Sequence, residues 1–242
     1  MSIYQLSELR SYLENTCIGH LLDVATGEGD FLRFVLDTVA TFDSATGLEP
    51  NKESLSIAKN RLFPYKVDLV LGSVRKLPFE ENYFDFVTVS NGLHHFEQPV
   101  KSIQSMMRVL VSGGRLLINE TISDVLNPAQ QTHLDYHSLK ADIDTAKGIY
   151  HRQLYSREEL LALLQEAHVE VERLFVSDNE PDILNSKEKV WQFSHKIDEM
   201  VEMAGALPQK NSFESRGWEL KEKIRANGFQ KPPQLTLIAY KP

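Results

Sequence analysis

Apolar side chains along this chain follow two alternating rhythms. At Ile3, Leu6, Leu9 and Leu13 they recur every three or four positions, which predicts an amphipathic helix at the N-terminus. Ile18–Val24 is a short apolar run suited to a buried strand, and it enters a glycine-bearing turn, Ala25-Thr-Gly-Glu-Gly-Asp. Phe31, Phe34, Val35 and Val39 then return to helical spacing. Strand, glycine turn and helix open a βαβ unit.

The alternation continues for about a hundred residues. Ser44–Leu48 reads as a strand, Pro50–Arg61 as a helix and Asp68–Leu71 as a third strand. Tyr83–Ser90 is a fourth strand, rich in aromatic and β-branched residues. Val100–Leu110 is a helix closed by Ser112-Gly-Gly, and Arg115–Asn119 a fifth strand. Strands separated by helices imply a doubly wound α/β fold, a parallel sheet with helices on both faces. After Glu120 the rhythm changes: residues 121–155 are polar, rich in His and Tyr, and helical in pattern. Ser156–Ala167 predicts a helix and His168–Val176 a strand. Residues 178–228 predict two helices around Gly205–Pro208, and Gln234–Tyr240 a seventh strand.

Charge and cysteine content narrow the chemistry. The 242 residues carry 26 basic and 34 acidic side chains, a net charge of −8, so a nucleic acid is not expected as the main partner. Cys17 is the only cysteine, which excludes a disulfide framework, a cysteine-based zinc site or a thiol relay within one chain. The start, MSIYQLSELRSYLENTC, lacks the basic and apolar regions of a signal peptide, and no run approaches the ~18 apolar residues of a membrane span. The expectation is a cytoplasmic protein with no membrane partner.

The strongest local signal is the turn after the first strand. A dinucleotide fingerprint, G-x-G-x-x-G, fails because Leu32 stands where the third glycine belongs, and no G-K-[ST] ends the loop as a P-loop would. What remains is D-x-A-x-G-x-G with an acidic residue closing the strand. Five segments follow in order: DVATGEG (23–29), GLEP (47–50), GSVRKLPF (72–79), FDFVTVSNGLHHF (84–96) and RVLVSGGRLLINE (108–120); QLTLIAYKP (234–242) fits as a terminal strand.

This set resembles the class I S-adenosylmethionine-dependent methyltransferases, in particular their small-molecule branch. The resemblance implies a Rossmann-like sheet of seven mostly parallel strands with helical cap insertions. It organises residues 1–242 as one methyltransferase domain: 18–120 as the cofactor-binding core, 121–155 and 178–228 as caps, and 156–177 with 234–242 completing the core. It also implies S-adenosylmethionine as cofactor and a small molecule as methyl acceptor. Asp23, Ala25, Gly27 and Gly29 would line the methionine end. Glu49, twenty residues after Gly29 and followed by Pro50, would accept from the ribose hydroxyls. Ser73 stands where relatives usually carry Asp, a neutral acceptor for the adenine amino group, with the Val74 backbone N–H facing the ring. Asn91 belongs to the same edge.

Methyl transfer from a sulfonium needs a base only when the acceptor must lose a proton. His95, Glu120 and His151 are the candidates. His133 and His137 share a helix face with Asp135 nearby, but a polar aromatic pocket accounts for them, and no metal is expected. Trp191, Phe193, Ile197 and Val201 form an apolar stripe that suits either core packing or a homodimer contact through the cap. Two other readings remain: a non-catalytic S-adenosylmethionine-binding module, and a methyltransferase for RNA or protein.

Overall fold

The computed structural model describes residues 7–125, 127–177, 186–205 and 207–242, which form two compact units. The first comprises Met1–Glu120, Glu158–Ser177 and Gln234–Pro242; the second comprises Thr121–Arg157 and Asp178–Pro233. Ile3 and Leu6 of the expected N-terminal helix lie outside the described residues, whereas Leu9 and Leu13 are buried on α1 (Ser7–Glu14).

In the first unit the chain runs β1 (Cys17–Val24), α2 (Asp30–Leu36), β2 (Thr41–Glu49), α3 (Lys52–Arg61), β3 (Val67–Leu71), β4 (Phe84–Ser90), α4 (Pro99–Val109) and β5 (Leu110–Thr121). It returns later as α6 (Arg157–Glu166), β6 (Val171–Ser177) and, after the second unit, β7 (Gln234–Tyr240). The seven strands form one sheet in the order β3-β2-β1-β4-β5-β7-β6. β1 pairs in parallel with β2 and β4, β2 with β3, and β4 with β5, while β6 and β7 are antiparallel. Strands buried on both faces explain the continuous apolar runs: Leu21, Leu22 and Val24 of β1 and Phe86, Val87 and Val89 of β4 are all closed to solvent. The order reverses between β1 and β4, which places a crevice at their carboxyl ends.

Several boundaries differ from the sequence expectation, each for a local reason. α3 starts at Lys52 rather than Pro50 because the Asn51 side chain accepts from the Glu53 and Ser54 N–H groups and caps the helix. β6 starts at Val171 rather than His168, which sits in a left-handed turn with φ of 59°. The glycine pair after α4 does not stop that helix. Gly113 N–H donates to Lys241 O and Lys241 N–H to Gly114 O, and a Cβ on Gly114 would stand 2.9 Å from Val111 O and 3.1 Å from Asp85 O. Close backbone approach within β5 is what requires glycine there.

The chain leaves the first unit after Glu120 and after Ser177, and re-enters at Glu158 and at Gln234. Glu120, Ser177 and Gln234 stand at the carboxyl edge of the sheet, since Ser177 pairs with Gln234 and Thr236 reaches Asn119.

The second unit is a helical core of its own. α5 (Pro128–Ala146) is capped by Asn127, whose side chain accepts from Gln130 N–H. α7 (Lys187–Glu202) and α8 (Lys210–Asn227) bury Ile197, Met200, Phe213, Leu220 and Ile224 against Leu139 and Ile143 of α5, with Phe229. Gly217 permits the closest approach: a Cβ there would lie 2.9 Å from Val201 and 3.3 Å from Ile197. Phe193, Ile197 and Val201 therefore face this core, and only Trp191 of that stripe is exposed.

Asn119 ties three strands together from a fully buried position. Its Nδ2 donates to Ser90 Oγ at 2.9 Å, and its Oδ1 accepts from Thr236 Oγ1 at 2.9 Å. Asn119→Leu is expected to cost about 2–4 kcal/mol by depriving both hydroxyls of that partner. Urea unfolding checks it: the midpoint should fall at unchanged slope, and an unmoved midpoint would show that the tie contributes nothing.

Candidate functional site

The turn after β1 is held in a conformation that most residues avoid. Ala25 has φ of 57°, Gly27 55° and Gly29 88°; for an alanine the left-handed region costs roughly 1–2 kcal/mol. Three hydrogen bonds hold it: Thr26 N–H to Leu48 O at 3.1 Å, Gly29 N–H to Thr26 O at 2.9 Å, and Gly27 N–H to Glu49 Oε2 at 3.0 Å. The two glycines serve different ends. A Cβ on Gly27 would meet nothing within 4 Å, so this backbone borders open space. A Cβ on Gly29 would lie 3.1 Å from Leu62 and 3.4 Å from Ala58. Gly29 is thus favoured as glycine both by its positive φ and because the turn packs on α3.

Four further strand ends join this turn. Glu49, at the end of β2 and nearly buried, accepts from Gly27 N–H with one oxygen and from Asn51 N–H at 3.0 Å with the other; Pro50 beside it is exposed. Gly72 N–H donates to Glu49 O at 3.1 Å, which brings the end of β3 alongside. Ser73 Oγ accepts from Arg75 N–H at 3.3 Å and caps a short 3-10 turn whose first residue, Val74, is buried. At the end of β4, Asn91 is also left-handed, with φ of 49°, and a Cβ on Gly92 would touch the Ala25 Cβ at 3.2 Å. Asn91 N–H donates to Asn119 O at 2.9 Å and so links β5. The structure therefore assembles Asp23, Ala25, Gly27, Glu49, Ser73, Val74 and Asn91 along one edge. Backbone strain concentrated at two adjacent strand ends is a mark of functional sites.

Two buried carboxylates on this edge have different tasks. Asp23 is 1% exposed, and burial pushes its carboxyl up to about 6; hydrogen bonds from Thr26 and Thr88 oppose that rise and nearby Glu49 adds to it. The Thr88 hydroxyl donates to Asp23 Oδ1 at 2.6 Å. Glu120 is equally buried, but its oxygens hold the loop after β4. Oε1 accepts from Gly92 N–H at 2.6 Å and Leu93 N–H at 2.9 Å, and Oε2 meets His94 Nδ1 at 3.1 Å. Glu120 is thereby a positioning group, a correction to its reading as a proton acceptor. His94 is buried beside it, and His95, the expected base, is exposed.

His151 belongs to the second unit. It is buried, with Nδ1 2.7 Å from Asp144 Oδ2 and Nε2 3.2 Å from His137 Nε2. The Asp144 carboxylate beside Nδ1 favours a proton on that nitrogen. His133 and Asp135 do not join His137. The His133 ring stacks on Phe229 at 4.8 Å, and burial drives its pKa down to about 3, with Lys231 adding to the shift. Asp135 is engaged by Gln131 and Lys223. Sequence reasoning missed Thr88 and Asp144. Asp144 lies seven residues before His151, past the end of α5, and only the fold-back of Ile149 N–H onto Asp144 O at 2.9 Å brings them together.

The profile of a methyltransferase domain matches residues 22–118, which span the strand ends just described. Over this stretch the chain is similar to methyltransferase domains. A demethylmenaquinone methyltransferase of Oceanobacillus iheyensis is 34% identical over 48% of this chain and 50% of its own length. The ubiquinone/menaquinone biosynthesis C-methyltransferase UbiE of Pseudomonas savastanoi is 35% identical over 41% of each chain. The matched stretch spans half or less of the length of these curated relatives. Among solved structures, the YcgJ protein of Bacillus subtilis shares the fold with a TM-score of 0.65 at 16% identity, covering 98% of both chains.

The raised Asp23 carboxyl makes the stability of the first unit sensitive to pH. Its folded value of about 6 lies above the value of ~3.9 for an unfolded Asp, so the folded state binds more protons between the two. The contribution is fully present below about pH 4 and is lost as pH rises through about 6. Urea unfolding at pH 4 and pH 7 should show the protein losing about 3 kcal/mol relative to Asp23→Asn across that window. A difference that stays flat would show that Asp23 titrates as an ordinary carboxylate.

Proposed function

We propose that this protein transfers a methyl group from S-adenosylmethionine to an oxygen, nitrogen or carbon nucleophile of a small molecule. The observation that carries the reading is the open space beside Gly27, bordered by a left-handed backbone and by the Glu49 carboxylate. These groups fit the cofactor. A Cβ at Gly27 would fill the space a ligand needs, and a carboxylate has lone pairs beyond the two already used for ribose hydroxyls. Ser73 and Val74 stand one strand further along, where the adenine belongs, and Asp23 is a buried acid that ionises readily beside a cation. S-adenosylmethionine, when bound, supplies a methyl already activated on a sulfonium.

What remains for the protein is to bind, orient and, where the acceptor is protic, to remove a proton. We assign the acceptor to segments 121–155 and 178–228, inserted at the carboxyl edge of the sheet, with His151 as the proton acceptor and Asp144 orienting it. Pro50, Asn91 and His95 complete the edge. The names of the curated relatives make a reduced quinone the first acceptor to try. No described helix is long and apolar enough to cross a membrane, in keeping with a cytoplasmic enzyme.

Calorimetry tests the cofactor half of this reading. Glu49→Ala should weaken S-adenosylmethionine by ~1–3 kcal/mol, the loss of charge-assisted hydrogen bonds, and Gly27→Val should weaken it further. Unchanged affinity in Glu49→Ala would remove Glu49 from the site. Formation of S-adenosylhomocysteine with an acceptor panel separates an enzyme from a binding module. With an acceptor in hand, His151→Ala should lower turnover by ~10²–10⁴ while leaving cofactor affinity unchanged; an equal loss of cofactor affinity would move His151 out of the acceptor role.

A further inference from the structure

One cavity in the first unit is not at the carboxyl edge. It is a cleft of about 580 Å³ at the opposite end of the sheet, lined by Tyr12, Thr16, Cys17, Arg115, Arg173 and Phe175 among others. Cys17 is the first residue of β1, six residues from Asp23, so the cleft lies about 20 Å from the cofactor edge at ~3.3 Å per strand residue. Its size is within the usual range of small-molecule sites, roughly 300–1,000 Å³.

The walls are chemically selective. Arg115 Nε is buried and makes no hydrogen bond among the described residues, and the nearest carboxylate oxygen, Glu172 Oε2, stands at 3.6 Å. The Arg115 side chain is 42% exposed, and a ligand acceptor in the cleft would supply the close hydrogen bond that its Nε lacks. Arg173 lies over the Tyr12 ring at 5.3 Å, and Tyr12 faces Phe175 at 6.4 Å between centroids, so two arginines and two rings share the cleft. Burial raises the Tyr12 phenol, ahead of the opposing influence of Arg115, which keeps its hydroxyl protonated as a donor. Glu8 on the wall and Glu172 between the two guanidiniums balance much of the positive charge. That balance disfavours phosphates and polyanions. A single planar carboxylate matches the guanidinium fork, and the rings suit a flat apolar body.

We propose that this cleft binds a small aromatic monocarboxylate, at a site separate from the cofactor edge. The site does not depend on the methyltransferase reading. Cys17, exposed in the cleft and the only cysteine of the chain, is a built-in reporter.

The test uses the full chain with 2-naphthoate as probe, read by calorimetry and by the rate at which a disulfide reagent modifies Cys17. Saturable 1:1 binding that slows Cys17 modification is expected, with affinity reduced at least about tenfold in Arg115→Gln and in Arg173→Gln. Neutral 2-naphthamide should bind far more weakly, and saturating S-adenosylhomocysteine should not displace the probe. If Arg115→Gln fails to fold, Arg115→Lys keeps the charge without the fork and should lose affinity likewise. No saturable binding, undiminished binding in the arginine variants, equal binding of the amide, or displacement by S-adenosylhomocysteine would each overturn the proposal.

Discussion

The Glu49 carboxylate is the joint on which the carboxyl edge of the sheet depends. One oxygen receives Gly27 N–H and the other receives Asn51 N–H, so a single side chain fixes the turn after β1 and the start of α3. Without that acceptor, the left-handed Ala25–Gly29 turn has only two of the three hydrogen bonds described for it. Packing then fixes the rest: Gly29 seats the turn on Leu62, and Gly92 seats the next loop on Ala25. The open space beside Gly27 is the result of these constraints, since every neighbouring backbone group is pinned elsewhere.

Three buried or nearly buried acids stand at the ends of β1, β2 and β5, and their environments divide the labour. Glu49 and Glu120 each accept two backbone N–H groups, which suits an ionised carboxylate and makes both part of the scaffold. Asp23 receives a threonine hydroxyl at full burial, and desolvation holds its carboxyl near 6. A group poised in that way gains most from a cation placed beside it. The same carboxyl group thus yields two fasteners and one responsive charge.

The second unit shows a similar partition among histidines. His133 is pressed against Phe229 and held neutral by burial, which makes it a flat packing element. His151 is equally enclosed, but its contacts are a carboxylate and another imidazole, an arrangement that favours a proton on Nδ1. Residue type and helical spacing treated these imidazoles alike; their neighbours distinguish them.

Much of the architecture was legible in the chain itself. Short apolar runs such as Ile18–Val24 and Gln234–Tyr240, separated by amphipathic helices, already determined a layered α/β sheet, because burial on both faces demands that pattern and little else satisfies it. The D-x-A-x-G-x-G turn and Glu49 were likewise readable, since a positive φ and a strand-end carboxylate leave few residue choices. The sequence by itself therefore determined the fold class and the edge that carries the strained turn. Tertiary structure alone decided which glycine borders open space, which acid is a fastener, and which histidine meets a carboxylate. Those distinctions arise from contacts between residues far apart in the chain, such as Gly92 with Glu120 or Thr88 with Asp23. Desolvation and hydrogen-bond partners depend on what the fold brings near, and local pattern carries no record of that.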